Sequence, residues 1–334
     1  MRVLMTGASS FTGAWMARRL AGSGAVVTAA RRGRTAEDGP RVRERSALLA
    51  RRVRQVDEAP FGSDRFLDLL ANEGPHDILC MHGATVGDHR AADFDVVGAL
   101  RADTHRINRV LERFAARGGR TLVFTGTVFE ADEGRSEAPW GAIGGYGLAK
   151  SLTWQVVRHA AEERQLSLGK FVIPHPFGPM EKPGLTSMLA ESWLTGQVPT
   201  LKEPGLVRDH IHVDLLAHAY ARFVHETHGR PDPKTVRHCG PSGRVETIAG
   251  FTARFARALG PLFGVPTRWS AQSGPGDRVQ PRIRCNTEPT ATLHPDFDEA
   301  RAFEELAVWY LQRFGGGGHA RRLARLVERV FEPA

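Results

Sequence analysis

The first thirty residues constrain this chain more than any other stretch. Arg2-Val3-Leu4-Met5 reads as a short buried strand, Thr6 to Gly13 as a glycine-containing loop, and Ala14 to Ala21 as a helix. A second strand, Val26 to Ala30, follows directly after Gly22-Ser23-Gly24. Strand-like runs at 77–81, 121–125 and 170–173 then alternate with helical stretches near 64–72, 97–116 and 147–163. That rhythm belongs to a parallel sheet covered on both faces, so the expected class is α/β with a doubly wound sheet.

After Pro174 prolines and glycines become frequent, and shorter elements are expected at 186–195, 211–225 and 248–262. The expected division is a dinucleotide-binding domain over 1–174 with a returning segment at about 208–243. A smaller lobe follows from 175–207 and 244–314, at the carboxyl edge of the sheet where open α/β folds bind ligands. Gly315 to Gly318 breaks the chain before a basic amphipathic helix, in which Leu323, Leu326, Val327, Val330 and Phe331 recur at helical spacing between arginines. Docking of this helix on its own body or on a second subunit is expected over membrane contact.

Composition narrows the class further. Cys80, Cys239 and Cys285 are far apart and lack C-x-x-C spacing, which argues against a disulfide framework or a cysteine metal site and suits a reducing cytosol. No secretory signal and no apolar run long enough to span a bilayer stand out, so a soluble, cytoplasmic protein is expected. The net charge of +8 comes from arginines scattered among acids, without the basic stripe of a nucleic-acid binder. His210, His212 and His218 lack a zinc-type carboxylate–histidine spacing, so no metal site is expected.

The segment Thr6-Gly7-Ala8-Ser9-Ser10-Phe11-Thr12-Gly13 sits where a dinucleotide pyrophosphate needs bare backbone N–H groups and the positive end of a helix dipole. An acidic residue closing the second strand would accept hydrogen bonds from an adenosine ribose; this chain has Ala29-Ala30-Arg31-Arg32. Two guanidiniums suit a 2′-phosphate, so NADP(H) is expected ahead of NAD(H).

Only five of the 45 basic residues are lysines, and only three residues are tyrosines. The first of each, Tyr146 and Lys150, fall four apart on one face at the start of a predicted helix. A phenol has a pKa near ~10, and a cation about 4 Å away at an effective dielectric of roughly 20 lowers it by about 3 units. On that arithmetic Tyr146 can exchange a proton with a substrate oxygen near neutrality, and the same ammonium can hold a ribose. Upstream, the strand ending at Thr125-Gly126-Thr127 offers a hydroxyl to fix the same oxygen, with Thr127 the first choice and Thr125 the reserve.

With these residues assembled, the chain resembles the extended short-chain dehydrogenase/reductase family, in its sugar-nucleotide branch, over residues 1 to about 313. The resemblance is carried by Thr6-Gly7 to Gly13, His82-Gly83-Ala84, Thr127, Tyr146-x-x-x-Lys150, Pro176-Phe177-Gly178-Pro179 and Val207-Arg208-Asp209-His210-Ile211-His212-Val213. It implies a Rossmann-type fold and homodimers. Tyr146 would be the acid/base, Lys150 its pKa-lowering and ribose-binding partner, and Thr127 the hydroxyl helper. Cofactor contacts are expected from Gly7, Ser9, Ser10, Phe11, Thr12 and Gly13, from Arg31 and Arg32, and from Gly83, Ala84, Thr125, Pro174 and His175. A nucleotide sugar is the implied substrate, touched by Thr127, His175 and a diphosphate-binding Arg208, with Arg282 or Arg278 as a second grip.

Some positions depart from the family pattern. Ser10 stands for a glycine and His175 for an asparagine, and Asp103 is the nearest residue to another usual asparagine. The family's dehydratases carry Asp-Glu after the threonine, whereas Val128-Phe129 follows Thr127 here, which disfavours dehydration. Arg31 and Arg32 tip the expectation toward NADPH-dependent reduction of a ring carbonyl, such as C4, of a nucleotide-linked deoxysugar. A 4-epimerase with tightly held NAD is the alternative, and a redox sensor or scaffold without turnover is the non-enzyme alternative.

Overall fold

The computed structural model describes residues 1–88, 91–137, 141–272, 281–290 and 297–331. In chain order the elements begin β1 (Arg2–Thr6), α1 (Phe11–Gly22), β2 (Val26–Ala30), α2 (Pro40–Leu49), β3 (Val53–Val56), α3 (Asp64–Asn72) and β4 (Ile78–Met81). They continue with α4 (Val96–Asp103), α5 (Ile107–Ala116), β5 (Thr121–Thr127), α6 (Gly144–Glu162), β6 (Ser167–Ile173), β7 (His175–Phe177) and α7 (Leu185–Leu194). Next come β8 (Thr200–Leu201), β9 (Val207–His212), α8 (Val213–Gly229), β10 (Arg237–Cys239), β11 (Pro241–Ser242), β12 (Arg244–Thr247) and α9 (Ile248–Phe263). The described chain closes with β13 (Ser270–Ala271), β14 (Ile283–Arg284), β15 (Glu288–Pro289), α10 (Glu299–Phe314) and α11 (Ala320–Phe331).

Seven parallel strands form the main sheet in the order β10-β6-β5-β4-β1-β2-β3. Its central strands β1, β4 and β5 are buried on both faces because helices cover them. Val3 and Met5 of β1 pack with α1 and α8 on one side, and Leu4 packs with α3, α5 and α6 on the other. The chain leaves β1 toward β2 on one side and reaches β4 on the other, which opens a crevice at the carboxyl ends of β1 and β4.

The second lobe is built on a four-stranded sheet in which β9 pairs antiparallel with β12 and parallel with β14 and β7. A phenylalanine-rich cluster fills it, including Phe177, Phe251, Phe255 and Phe303 with Trp193 and Tyr310. Two expected elements differ in kind. The stretch 97–116 is two helices because Arg106, at φ 51°, turns the chain between α4 and α5, and the carbonyl of His105 packs where a side chain at Gly62 would stand. Residues 211 and 212 finish β9, and the His212 ring caps α8 by accepting from the Asp214 N–H at 3.3 Å.

Helix α11 seats on α9 and α10, with Val330 fully buried and Leu326 nearly so. Arg329 pairs with Glu304 at 2.6 Å, Arg322 donates to the Pro261 carbonyl at 2.7 Å, and Arg301 reaches the carbonyl of Val330. The docking on its own body follows from the apolar spacing. Among the described residues no helix is long and apolar enough to cross a membrane. Leu326→Ala is expected to cost about 2 kcal/mol or more of lobe stability, read as a lower urea midpoint; an unchanged midpoint would show that the helix contributes nothing there.

Candidate active site

The crevice is lined by backbone. Gly7 turns the chain out of β1 at φ 74°, and a Cβ there would lie 2.5 Å from the Gly83 nitrogen and 2.6 Å from its Cα. The turns after β1 and β4 are therefore in direct backbone contact, and the Gly83 N–H donates to Thr6 Oγ1 at 2.9 Å. Gly13 is equally constrained, since a Cβ would stand 2.2 Å from the Gly7 carbonyl oxygen. Ser10 caps α1 by accepting the Gly13 N–H at 3.1 Å. The first-turn amides of Phe11 and Thr12 have no acceptor within the helix, so this end of α1 suits an anion.

His82 staples the crevice from below. Its Nε2 lies 3.1 Å from both Ser10 Oγ and Thr12 Oγ1, and its Nδ1 lies 3.2 Å from Thr125 Oγ1. Burial, with the positive charge of Lys150 added, pushes its pKa down to about 3, so the ring is neutral. Sequence reasoning took only the smallness of Gly83 and Ala84 from this turn and missed the imidazole. Ser10 spends its hydroxyl on the cap and on His82. The Thr125 hydroxyl is also turned inward to His82, which corrects its place as the reserve hydroxyl for fixing the substrate oxygen.

At the end of β2 the two arginines part. Arg31 is buried, pairs with Asp38, sits 3.3 Å from Asp57 and contacts Thr35 Oγ1. Asp57 in turn accepts from the Thr35 N–H at 2.8 Å and its hydroxyl at 2.9 Å. A guanidinium held between two carboxylates is not open to a phosphate, so Arg31 does not serve in the expected way. Arg32 is exposed, and its charge, with that of Arg45, helps burial lower the pKa of Lys182.

Thr127 closes β5, and the chain turns at once through Glu130, whose Oε1 accepts the Thr127 N–H at 2.8 Å. This turn is pinned to α6: the Ala131 N–H donates to Ser151 Oγ at 3.0 Å and the Ile143 N–H to the Phe129 carbonyl at 2.8 Å. A Cβ at Gly147 would come within 2.1 Å of that carbonyl oxygen, so glycine lets α6 close on the turn. Tyr146 then stands between the rings of Phe94 and Phe129, with centroids 6.3 and 6.2 Å away. Lys150 is buried, donates to the Thr125 carbonyl at 2.7 Å and lies 4.0 Å above the Phe124 ring.

The turn of α6 that carries Tyr146 and Lys150 thus packs against the end of β5 at Thr125 to Phe129. The electrostatics run against the sequence expectation, because burial, then the charges of Glu130 and Asp103, push the phenol above its ordinary range. Asp103 accepts from the Thr85 N–H at 2.9 and 3.0 Å and from its hydroxyl at 2.9 Å. Burial is also the main cause that lowers the Lys150 pKa, opposed by Glu130 and Asp103.

On the lobe side Pro174 passes the chain from β6 to β7, and the His175 ring lies 6.0 Å from Phe129 and 6.3 Å from His210. Burial, His210, Arg284 and Arg208 hold His175 well below the usual histidine pKa. Arg208 is buried, and its Nη1 donates to the carbonyls of Val207, Arg282 and Pro281 at 2.8 to 3.2 Å. Its register partner on β14 is Arg284, fully buried, 4.2 Å from the Phe129 ring and with Nη1 3.4 Å from the Val128 carbonyl. Burial and Arg208 lower the Arg284 pKa to about 9. Arg282 instead points to Glu137 at 2.7 Å, half exposed, so the second buried cation is Arg284, two residues on. The period-two alternation of a strand was the signal that could have found it. Arg278 lies outside the described residues.

Among the described residues no group of three or more His, Cys, Asp or Glu is arranged to hold a metal ion. A search of curated proteins finds no match. Among solved structures, UDP-glucose 4-epimerase from Thermotoga maritima, determined with UDP-glucose, is 16% identical with a TM-score of 0.69, over 93% of this chain and 99% of that one. UDP-glucuronic acid 4-epimerase from Bacillus cereus, with UDP-glucuronic acid and NAD, is 17% identical with a TM-score of 0.68 over 93% and 99%. The dTDP-glucose 4,6-dehydratase DesIV from Streptomyces venezuelae, with NAD bound, is 18% identical with a TM-score of 0.68 over 94% and 98%. These likenesses concern the fold, whereas the family model described as NAD dependent epimerase/dehydratase family matches residues 3–237. The chain belongs to the NAD dependent epimerase/dehydratase family, enzymes of the extended short-chain dehydrogenase/reductase type.

Proposed function

We propose that this enzyme is an NAD-dependent epimerase that oxidises and re-reduces a ring carbon of a nucleotide-linked sugar. The observation that supports this reading is the packing of the Tyr146–Lys150 turn of α6 against the end of β5, beside a crevice whose wall is bare backbone at Gly7 and Gly83. That wall fits a pyrophosphate, since glycine at 7 and 13 lets the loop, the Gly83 turn and α1 close together with bare backbone, and the first-turn amides of α1 suit an anion. Residues 7 to 13, with Gly83 and Ala84, would hold the dinucleotide; Lys150, Pro174 and His175 would border its ribose and nicotinamide.

Bound NAD supplies the acceptor and donor of hydride and, when oxidised, a positive charge at the site. The protein's own residues manage the proton. Tyr146 takes it from the sugar hydroxyl and returns it, and the Thr127 hydroxyl orients the same oxygen. Burial, Glu130 and Asp103 raise the phenol above its ordinary range, and positive charge beside it would favour its role as a base. Arg208 and Arg284, paired across β9 and β14, support an anionic substrate such as a nucleoside diphosphate sugar. Dehydration lacks support, because Val128-Phe129 follows Thr127 and the nearest carboxylate on the turn, Glu130, faces the Thr127 N–H and Lys170.

The ion pairs of Arg31 favour NAD(H) and remove the argument that tipped the sequence reading toward reduction with NADPH. The second reading, an NADPH-dependent keto-sugar reductase, rests on exposed Arg32 with Lys182 nearby. Equilibrium titrations should give tighter binding of NADH than of NADPH; a tenfold preference for NADPH would favour the reductase. Tyr146→Phe should lower turnover of a nucleotide sugar about 10³-fold and leave NADH affinity unchanged, and near-normal turnover would refute the assignment. Calorimetric titration with UDP-glucose and UDP-glucuronic acid should weaken by about 10- to 100-fold in Arg208→Ala and Arg284→Met and little in Arg282→Ala. A larger loss from Arg282→Ala would reverse the assignment.

A further inference from the structure

Lysines are scarce in this chain, yet a second one is buried beside the site, and the proton transfer above does not use it. Lys170 lies in β6 in register with Phe124 of β5 and His238 of β10. Its Nζ sits 2.7 Å from Glu130 Oε2, 2.6 Å from Glu133 Oε1 and 4.9 Å from the centroid of Trp154. Glu133 Oε2 lies 2.9 Å from Nε2 of His238, whose side chain is half exposed. A row of charges therefore runs from the surface, through Glu133 and Lys170, to fully buried Glu130 and the Thr127 N–H.

The backbone is cut to hold this row. A Cβ at Gly126 would lie 2.7 Å from Glu130 Oε1 and 2.9 Å from Lys170 Cε, so the glycine between Thr125 and Thr127 makes room for the pair. Burying a carboxylate is costly unless it is paired, and breaking such a pair usually costs several kcal/mol. A packing role alone would be met by apolar side chains at lower cost. Here the carboxylate spends one oxygen on the residue that ends β5 and the other on the Lys170 ammonium.

We propose that Glu130 is a positioning residue for proton transfer: anchored by Lys170, it fixes the Thr127 turn and places a fixed, buried negative charge behind it. Among the described residues, the charged and titratable groups near the phenol include Lys150 on its own helix, Asp103 on α4, Glu130 on the β5 turn, Lys170 on β6, and His175 with Arg284 beyond Phe129. Of these, Glu130 and Asp103 favour the protonated phenol. Farther out, His238 is raised above its ordinary pKa by the Glu133 contact. Against the burial that alone would raise it, His238 and Lys170 hold Glu133 low.

The inference rests on Tyr146 being the acid/base, so the test uses the full enzyme with NAD and whichever sugar of a UDP- and dTDP-hexose panel it turns over fastest. Loss of turnover in Tyr146→Phe establishes that reading separately. Glu130→Gln keeps the shape and removes the charge, so the acidic limb of the kcat profile for sugar oxidation should move down by about one pH unit. Glu130→Asp keeps the charge but shortens the reach, so its midpoint should stay while kcat falls several-fold at unchanged KM. Glu130→Gln with Lys170→Met removes both buried charges together and protects folding; the lost ammonium opposes the lost carboxylate, so its downward shift should be smaller than that of Glu130→Gln alone. A merely structural Glu130 would lower kcat at every pH without moving the midpoint in either charge-removing variant, and that result would overturn the proposal.

Discussion

The site depends on one close approach, the backbone contact between the turn at Gly7 and the turn at Gly83. Parallel strands β1 and β4 bring these turns side by side, and the absence of two side chains lets them touch. His82 then ties the start of α1 to β5 through Ser10, Thr12 and Thr125, using a neutral ring with both nitrogens engaged. The dinucleotide crevice and the catalytic edge are thereby parts of one hydrogen-bonded unit. A shift at the glycine loop would be felt at β5, where Lys150 meets the Thr125 carbonyl.

Much of this was legible in the order of residues. The β-loop-helix-β unit, the alternation of later strands and helices, and the apolar face of the last helix all come from local periodicity, which side-chain burial enforces directly. The proximity of Tyr146 and Lys150 was legible for the same reason, because four residues on a helix are one turn. What escaped were facts decided by partners distant in sequence. Arg31 looks like a phosphate ligand until Asp38 and Asp57 close on it. Arg282 looks like the second substrate cation until the β9–β14 register faces Arg284 toward Phe129.

The direction of the Tyr146 shift is the most instructive difference. Sequence spacing supplies a cation and so suggests a phenol tuned down. The fold adds burial between Phe94 and Phe129 and two carboxylates, Glu130 and Asp103, and these prevail in the cofactor-free enzyme. Lys150 meanwhile spends a hydrogen bond on a backbone carbonyl.

The central claim is that the sugar's hydrogen passes to NAD held by this chain and comes back. Absorbance of reduced nicotinamide, followed in NAD-loaded enzyme after adding UDP- and dTDP-hexoses one at a time, tests it most directly. The account predicts a transient rise with at least one sugar, no net change in total cofactor, and no rise in Tyr146→Phe. No rise with any sugar, together with steady oxidation of added NADPH by keto-sugars, would contradict it.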